Sequence, residues 1–222
     1  MGYCPSKYIK KSMKGIILAG GSGTRLNPLT SVTSKQLLPI YDKPLIYYPL
    51  TTLISLGIQD ILIISSPDQL HSFESLLKDG SNFGINLSYK AQDKPRGIAE
   101  ALIIGEPFLD GANCCLVLGD NIFVSNIFKP SLVENFAQGA TVFTAKVNDP
   151  ERYGVISMGG NGLPERIVEK PIQFVSNNAV TGLYFYDHNA PEFCRALSPS
   201  ARNEIEITDL NKKYLANHNL NV

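Results

Sequence analysis

The chain has no tryptophan, only 3 histidines and 4 cysteines, and no net formal charge, with 20 Lys+Arg set against 20 Asp+Glu. Each shortage removes a class of function. Balanced charge leaves no basic field to track a nucleic acid or press on an anionic membrane, so charge that binds phosphate must be local. No apolar run nears the ~20 residues of a spanning helix, since GIILA, ILII and LVL are short and bounded by turn residues. Neither a nucleic-acid nor a membrane partner is expected. Cys4, Cys114, Cys115 and Cys194 lack C-x-x-C spacing, and the adjacent pair sits in an apolar run where successive side chains point to opposite faces. That pattern predicts core thiols in a reducing cytoplasm rather than disulfides. His71, His188 and His218 are scattered in polar segments without ligand-like spacing and are assigned no role.

Residues 1–12, MGYCPSKYIKKS, hold no apolar core of signal-peptide length and precede Met13. They are expected to form a disordered N-terminal extension ahead of one domain over 13–222. Within it, strand-like runs at 15–19, 61–65, 86–90 and 114–119 alternate with helical patterns, the signature of βαβ units and a largely parallel sheet. The first helix is predicted from near Pro44 to Gly57, with Ile46, Leu50, Leu53 and Ile54 on one stripe. Others are predicted over 67–78 and from Gly97 to Phe108. Beyond residue 139, ATVFTAKV, YGVISM, ERIVEK and AVTGLYFYD are β-rich and predict mixed strands that extend the sheet. Two last helices are expected, at 191–197 and 208–216, the second capped by Thr208.

The chemistry begins at KGIILAGGSGTRLNP, residues 14–28, where a short apolar strand empties into small residues and an arginine. Gly20, Gly21 and Gly23 can adopt positive φ and bare backbone N–H groups toward a polyphosphate, and Arg25 can fork onto phosphate oxygens. A P-loop would require Gly-Lys-Ser/Thr, and no lysine follows Gly23. A dinucleotide loop would require a small residue where Leu26 stands. A plain glycine turn at a strand end is the bland alternative. Ligands of open α/β sheets bind beyond the carboxyl ends of strands, and further candidates lie at such ends. Asp120 follows the CCLVL strand and could hold Mg²⁺, while Lys35 and the Glu169-Lys170 pair add cations and an acid around a phosphoryl group.

The ordered set GGSGTRLxPxT, SKQLLPIYDKP, LGDNIF, NDPERYGV, EKP, NxAVTGLYFYD and ARxExEITDxN, running from about Met13 to Val222, resembles the glucose-1-phosphate thymidylyltransferases. The resemblance implies a Rossmann-like three-layer α/β/α nucleotide-diphospho-sugar transferase fold with a mostly parallel mixed sheet. It implies dTTP and α-D-glucose 1-phosphate as substrates, dTDP-glucose and diphosphate as products, and Mg²⁺ on Asp120. Carried over by motif, Gly20, Gly21, Ser22, Gly23, Thr24 and Arg25 would hold the triphosphate with Lys35 nearby. Gln36, Gln92 and Gly97 would seat the nucleotide, Gln92 reading the thymine imide by a paired donor and acceptor and Gly97 packing close to the ring. Asn121, Tyr153, Gly154, Glu169, Lys170 and Val180 would take the sugar, Lys170 its phosphate. Arg25, Lys35, Asp120 and Lys170 would be catalytic.

The family pattern continues past Val222 with a WLDTGT-like motif bearing a second acidic metal ligand, and with helices for subunit contact and end-product regulation. The domain is thus expected to lack the family's C-terminal part, and the homotetramer implied by the family to depend on it. Departures within the match are Asn27 after Leu26, and Val124-Ser125 where a Tyr-Gly pair is common. Two other functions stay open at this point: a non-catalytic nucleotide-sugar binder, and a sugar-1-phosphate nucleotidyltransferase that uses UTP or CTP.

Overall fold

A computed structural model describes residues 12–21 and 23–222. Ser22 and all of the expected N-terminal extension except Ser12 lie outside the described residues. In chain order the elements are β1 (Lys14–Leu18), β2 (Pro39–Ile40), β3 (Lys43–Pro44), α1 (Tyr47–Ser55), β4 (Asp60–Ser65), α2 (Pro67–Leu77) and β5 (Asn86–Ala91). There follow α3 (Glu100–Leu109), β6 (Cys114–Leu118), α4 (Pro130–Glu134), β7 (Ala140–Lys146), β8 (Gly154–Met158) and β9 (Pro164–Glu169). The chain closes with β10 (Asn178–Tyr186), α5 (Ala190–Arg195), α6 (Ile207–Ala216) and β11 (Leu220–Asn221).

The main sheet runs β11-β7-β10-β6-β1-β4-β5, with β8 pairing β10 and β9 off that path. Strands β6, β1, β4 and β5 are mutually parallel, while β10 enters antiparallel between β6 and β7. Alternation divides each central strand between two cores. Ile16, Leu62, Ile64, Cys114 and Leu116 face α3, α5 and α6, whereas Ile17, Ile61, Ile63, Cys115 and Val117 face α1 and α2. These strands are apolar on both faces because helices cover both, as buried parallel sheets require. Each fully buried aliphatic side chain contributes about 1.5–3 kcal/mol, so β1, β4 and β6 form the rigid spine on which the site stands.

Cys114, Cys115 and Cys194 are buried and free, and burial pushes their thiols up, Cys194 to about 12. A thiolate is the reactive form. Iodoacetamide at pH 8 is therefore expected to leave all three unmodified in the folded protein and to label them after denaturation, as peptide mapping by mass spectrometry would read. Labelling of any one in the native state would contradict this.

Two expected boundaries move. The first helix begins at Tyr47 rather than Pro44, because Pro44 is paired in the β2–β3 ladder and the N–H groups of Leu45 and Ile46 donate to the carbonyls of Leu38 and Gln36. The third begins at Glu100, since Gly97 has φ +102 and Ala99 N–H is drawn to the Ile205 carbonyl. The last helix is fixed from behind by stacked rings, Tyr184–Tyr186 and Tyr186–Tyr214, with centroids 5.9 and 5.7 Å apart. Tyr214 Oη donates to Asp187 Oδ1 at 2.7 Å, and Tyr186 Oη donates to Asn211 Oδ1 at 2.7 Å. Buried hydroxyls that find partners in this way make α6 an accurately located element.

Candidate active site

A cleft of about 620 Å³ opens beyond the carboxyl ends of β1, β5 and β6. One wall carries Gly20, Gly21, Gln92 and Gly97, and the floor carries Asp120 and Asn121. The opposite wall is built by Tyr153 and Gly154 before and in β8, Glu169 and Lys170 at the end of β9, Val180 on β10, and the segment entering α6. A smaller cavity of about 250 Å³ adjoins it at Gly20, Gly21 and Gln92 and reaches Thr30, Ser34 and Asp68.

Other expected site residues stand elsewhere. Gly23 precedes, and Thr24 and Arg25 belong to, a 3-10 turn spanning Thr24–Leu26, with Arg25 exposed and outside the cleft lining. Gln36 is buried: its Oε1 accepts from Ser34 Oγ at 2.5 Å, and its Cγ lies 3.1 Å from where a Cβ on Gly119 would be. It braces the floor from below rather than facing the cleft.

The floor is rigid because backbone pairing persists past the strand. Gly119 N–H donates to the Leu18 carbonyl at 2.9 Å. Asn121 Oδ1 accepts from Gly182 N–H at 3.1 Å, and its Nδ2 donates to Asp120 Oδ1 at 2.9 Å. Asp120 Oδ2 accepts from Lys35 Nζ at 2.5 Å, which ties the turn Lys35–Leu37 to the end of β6. The turn is capped by Ser34, whose N–H donates to Gln69 Oε1. Among the described residues no group of three or more His, Cys, Asp or Glu could hold a metal ion. One exposed carboxylate beside Gly20 and Gly21 lacks the ligand set of a zinc-type cage. It suits Mg²⁺, which takes one or two carboxylates and draws its remaining oxygens from substrate phosphates and water.

On the wall formed by β8, β9 and α6, Glu169 Oε2 accepts from Thr208 Oγ1 at 2.6 Å. This corrects the expected cap: the residue before α6 is Glu206, and the Thr208 hydroxyl serves the cleft instead of the helix end. Gly154 lies so close to this pair that a Cβ there would stand 2.9 Å from Thr208 Oγ1 and 3.1 Å from Glu169 Oε2. Lys170 has φ +42, an uncommon setting for a side chain with a Cβ, and its N–H donates to the Tyr153 carbonyl at 2.9 Å. Its Nζ is 3.9 Å from Glu169 Oε1.

Arg202 was missed by sequence reasoning, yet it lines the cleft. Its Nη2 lies 2.9 Å from Glu206 Oε1, 3.6 Å from Glu204 Oε2 and 3.7 Å from Glu169 Oε1. Nη2 also donates to Glu206 Oε2 at 3.0 Å, so a largely buried carboxylate holds the half-exposed guanidinium at the edge of the cleft. The signal was present in ARNEIEITDLN, where charges of both signs crowd an irregular segment just ahead of a helix.

On the facing wall, Gln92 is buried, and its Nε2 donates to Glu100 Oε2 at 2.7 Å and to the Gly97 carbonyl at 3.4 Å. Its Oε1 faces Gly20, 3.2 Å from where a Cβ on that residue would lie. Gln92 is thus turned with its acceptor toward the cleft and its donor away from it, where a paired donor and acceptor is expected. The missing side chain of Gly97 likewise serves another neighbour: a Cβ would stand 2.4 Å from the Ile205 carbonyl oxygen. Close packing there is against the 203–206 segment.

Comparison with known proteins agrees with this architecture. The sequence pattern of the family described as Nucleotidyl transferase matches residues 14–222. A glucose-1-phosphate thymidylyltransferase of Neisseria meningitidis is 56% identical over 212 residues, covering 95% of this chain and 74% of the relative. One from Mycobacterium tuberculosis is 50% identical over 204 residues, covering 91% of this chain and 71% of the relative. A Bacillus anthracis structure assigned to the same activity and solved with sucrose aligns with TM-score 0.87 and 43% identity, covering 95% of this chain and 85% of that one. A UDP-glucose pyrophosphorylase complexed with UDP-glucose aligns with TM-score 0.80 and 27% identity, over 92% of this chain and 88% of that one. Cleft, sheet order and sequence agree that the chain belongs to the nucleotidyl transferase family, among the glucose-1-phosphate thymidylyltransferases.

Proposed function

We propose that residues 13–222 form a nucleotidyltransferase domain that transfers a thymidylyl group from dTTP to α-D-glucose 1-phosphate, giving dTDP-glucose and diphosphate. One observation carries this reading: Gly20, Gly21 and Asp120, the last held from behind by Lys35, face the Glu169–Lys170 pair and Arg202 across a single cleft. The first wall suits a nucleoside triphosphate, the second a hydroxylated ring with its own phosphate. Relatives that bear the thymidylyltransferase name support the choice of substrates.

In the proposed reaction a phosphate oxygen of the sugar phosphate attacks the α-phosphorus as the α–β bridging bond breaks, and diphosphate leaves with the electron pair. No covalent enzyme intermediate is required, so the work of the protein is positioning and charge. The Glu169 carboxylate accepts hydrogen bonds from ring hydroxyls, and Thr208 holds that carboxylate in place. Lys170 and Arg202 offset the negative charge of the attacking phosphate, which otherwise repels the triphosphate. Gly97 N–H makes no hydrogen bond among the described residues and is the donor left for the base edge that Gln92 Oε1 meets as an acceptor. Mg²⁺ held by Asp120 and the phosphates would supply further charge neutralisation when bound. Buried free thiols support a reducing cytoplasm as the setting.

The test is Mg²⁺-dependent diphosphate release with dTTP and glucose 1-phosphate, with UTP and CTP run in parallel. Release selective for dTTP is expected, and release only with UTP or CTP would overturn the nucleotide assignment. Binding of dTTP without release would leave a nucleotide-sugar binder. Arg25 stands on the turn that follows Gly20 and Gly21, and we assign it to the charge on departing diphosphate. Arg25→Ala is then expected to lower kcat about 100-fold while changing dTTP affinity by less than about threefold. Equal losses in both would remove Arg25 from that role.

A further inference from the structure

The carboxylate at Glu100 is nearly buried, lines no part of the cleft, and is bonded on both oxygens. Arg96 Nε donates to Oε1 at 2.7 Å and Gln92 Nε2 donates to Oε2 at 2.7 Å. An ionised carboxylate only accepts, whereas a primary amide can turn either its oxygen or its nitrogen to a neighbour. Beside Glu100 only one orientation of the Gln92 amide is satisfied. Its nitrogen is directed inward to Glu100 and the Gly97 carbonyl, and its oxygen is left toward Gly20 and the cleft. Arg96, half exposed, offsets the charge that burial would otherwise disfavour.

We infer that Glu100, held by Arg96, is a positioning residue that fixes the Gln92 amide as an acceptor and thereby selects a pyrimidine carrying a proton at N3. The inference rests on the reading of the cleft as a nucleotide site. Thymine and uracil present N3–H to that oxygen, while cytosine presents a lone pair, so a locked acceptor attracts the first two and repels the third. Were the amide free to turn, the nitrogen could answer cytosine and the distinction would fade. The lock cannot tell thymine from uracil, because both have the same N3 edge. That blindness supplies an internal control.

The experiment measures equilibrium binding of dTTP, dUTP and dCTP to the full chain by titration calorimetry, alongside diphosphate release. Glu100→Gln removes the charge at constant shape, and Glu100→Asp keeps the charge but withdraws it by one methylene. Each folded variant is expected to lose about tenfold in the preference for dTTP over dCTP, the scale of one mispaired buried polar group. The dTTP to dUTP ratio and the KM for glucose 1-phosphate are expected to stay within about twofold. An unchanged dTTP to dCTP ratio in both variants overturns the inference, as does wild-type protein that binds these nucleotides equally or not at all. If wild type binds selectively and the variants lose selectivity, yet no diphosphate is released, the proposed activity fails while the role of Glu100 stands.

Discussion

Asp120→Asn is expected to lower kcat for diphosphate release by about a thousandfold with almost no loss of stability. The side chain keeps its size, and the substituted Oδ1 can still accept from Asn121 Nδ2, the contact that now fixes its orientation at 2.9 Å. What disappears is charge. Lys35 Nζ, now 2.5 Å from Oδ2, loses its counterion, and the cleft floor loses the one carboxylate that suits Mg²⁺. In the proposed reaction both effects would act on the transferring phosphoryl group, where preorganised charge has the greatest leverage. Because the pair is about one-third exposed on each side, its removal should change unfolding free energy by less than about 1 kcal/mol. Steady-state kinetics across a Mg²⁺ series and a thermal melt measure the two halves. A kcat within tenfold of wild type would remove Asp120 from the chemistry, and a large fall in Tm would make its role structural.

Gly97→Ala is expected to show the converse, a stability loss at a residue with no side chain. Its φ of +102 is strained for alanine, and the new Cβ would lie 2.4 Å from the Ile205 carbonyl oxygen and 2.8 Å from the Ile205 nitrogen. Backbone cannot rotate out of the way as a side chain can. Conformational strain and overpacking together cost about 3–5 kcal/mol. For a chain of this size that corresponds to a fall in Tm of about 10 °C. The 203–206 segment would also shift, and with it Arg202 and Glu206, so dTTP and sugar phosphate binding should weaken together. A Tm within about 2 °C of wild type would show that the loop yields freely.

The sequence made the spine legible because β1, β4 and β6 are apolar on both faces and end in glycine or polar residues, so strand type and ligand edge are written in the same few positions. Asp120, Glu169 and Lys170 could be found because each stands at a strand end: Asp120 two residues after β6, Glu169 as the last residue of β9 and Lys170 just after it. Long-range partners were not legible. Nothing near Thr208 in sequence shows that its hydroxyl would leave the helix cap for Glu169, a residue 39 positions earlier. Nothing in PRGIAEA indicates that the Gln92 amide is spent on Glu100, or that Gly97 yields its space to Ile205. The early start expected for α1 failed for the same reason. Pro44 satisfies a local rule for helix entry, but pairing of 38–46 as a small ladder takes the N–H groups first.

The ring stack behind α6 has an optical consequence. With no tryptophan in the chain, excitation absorbed by tyrosine has no indole to drain into, so phenol emission is seen directly. Tyr214 stacks on Tyr186 and donates to Asp187 at one end of α6, while Thr208 at the other end touches Glu169 in the cleft. An occupant of the cleft that moved α6 would alter the ring overlap and the phenol–carboxylate contact at its far end. Tyrosine emission is therefore the label-free signal in which to look for a response of α6 to an occupant of the cleft.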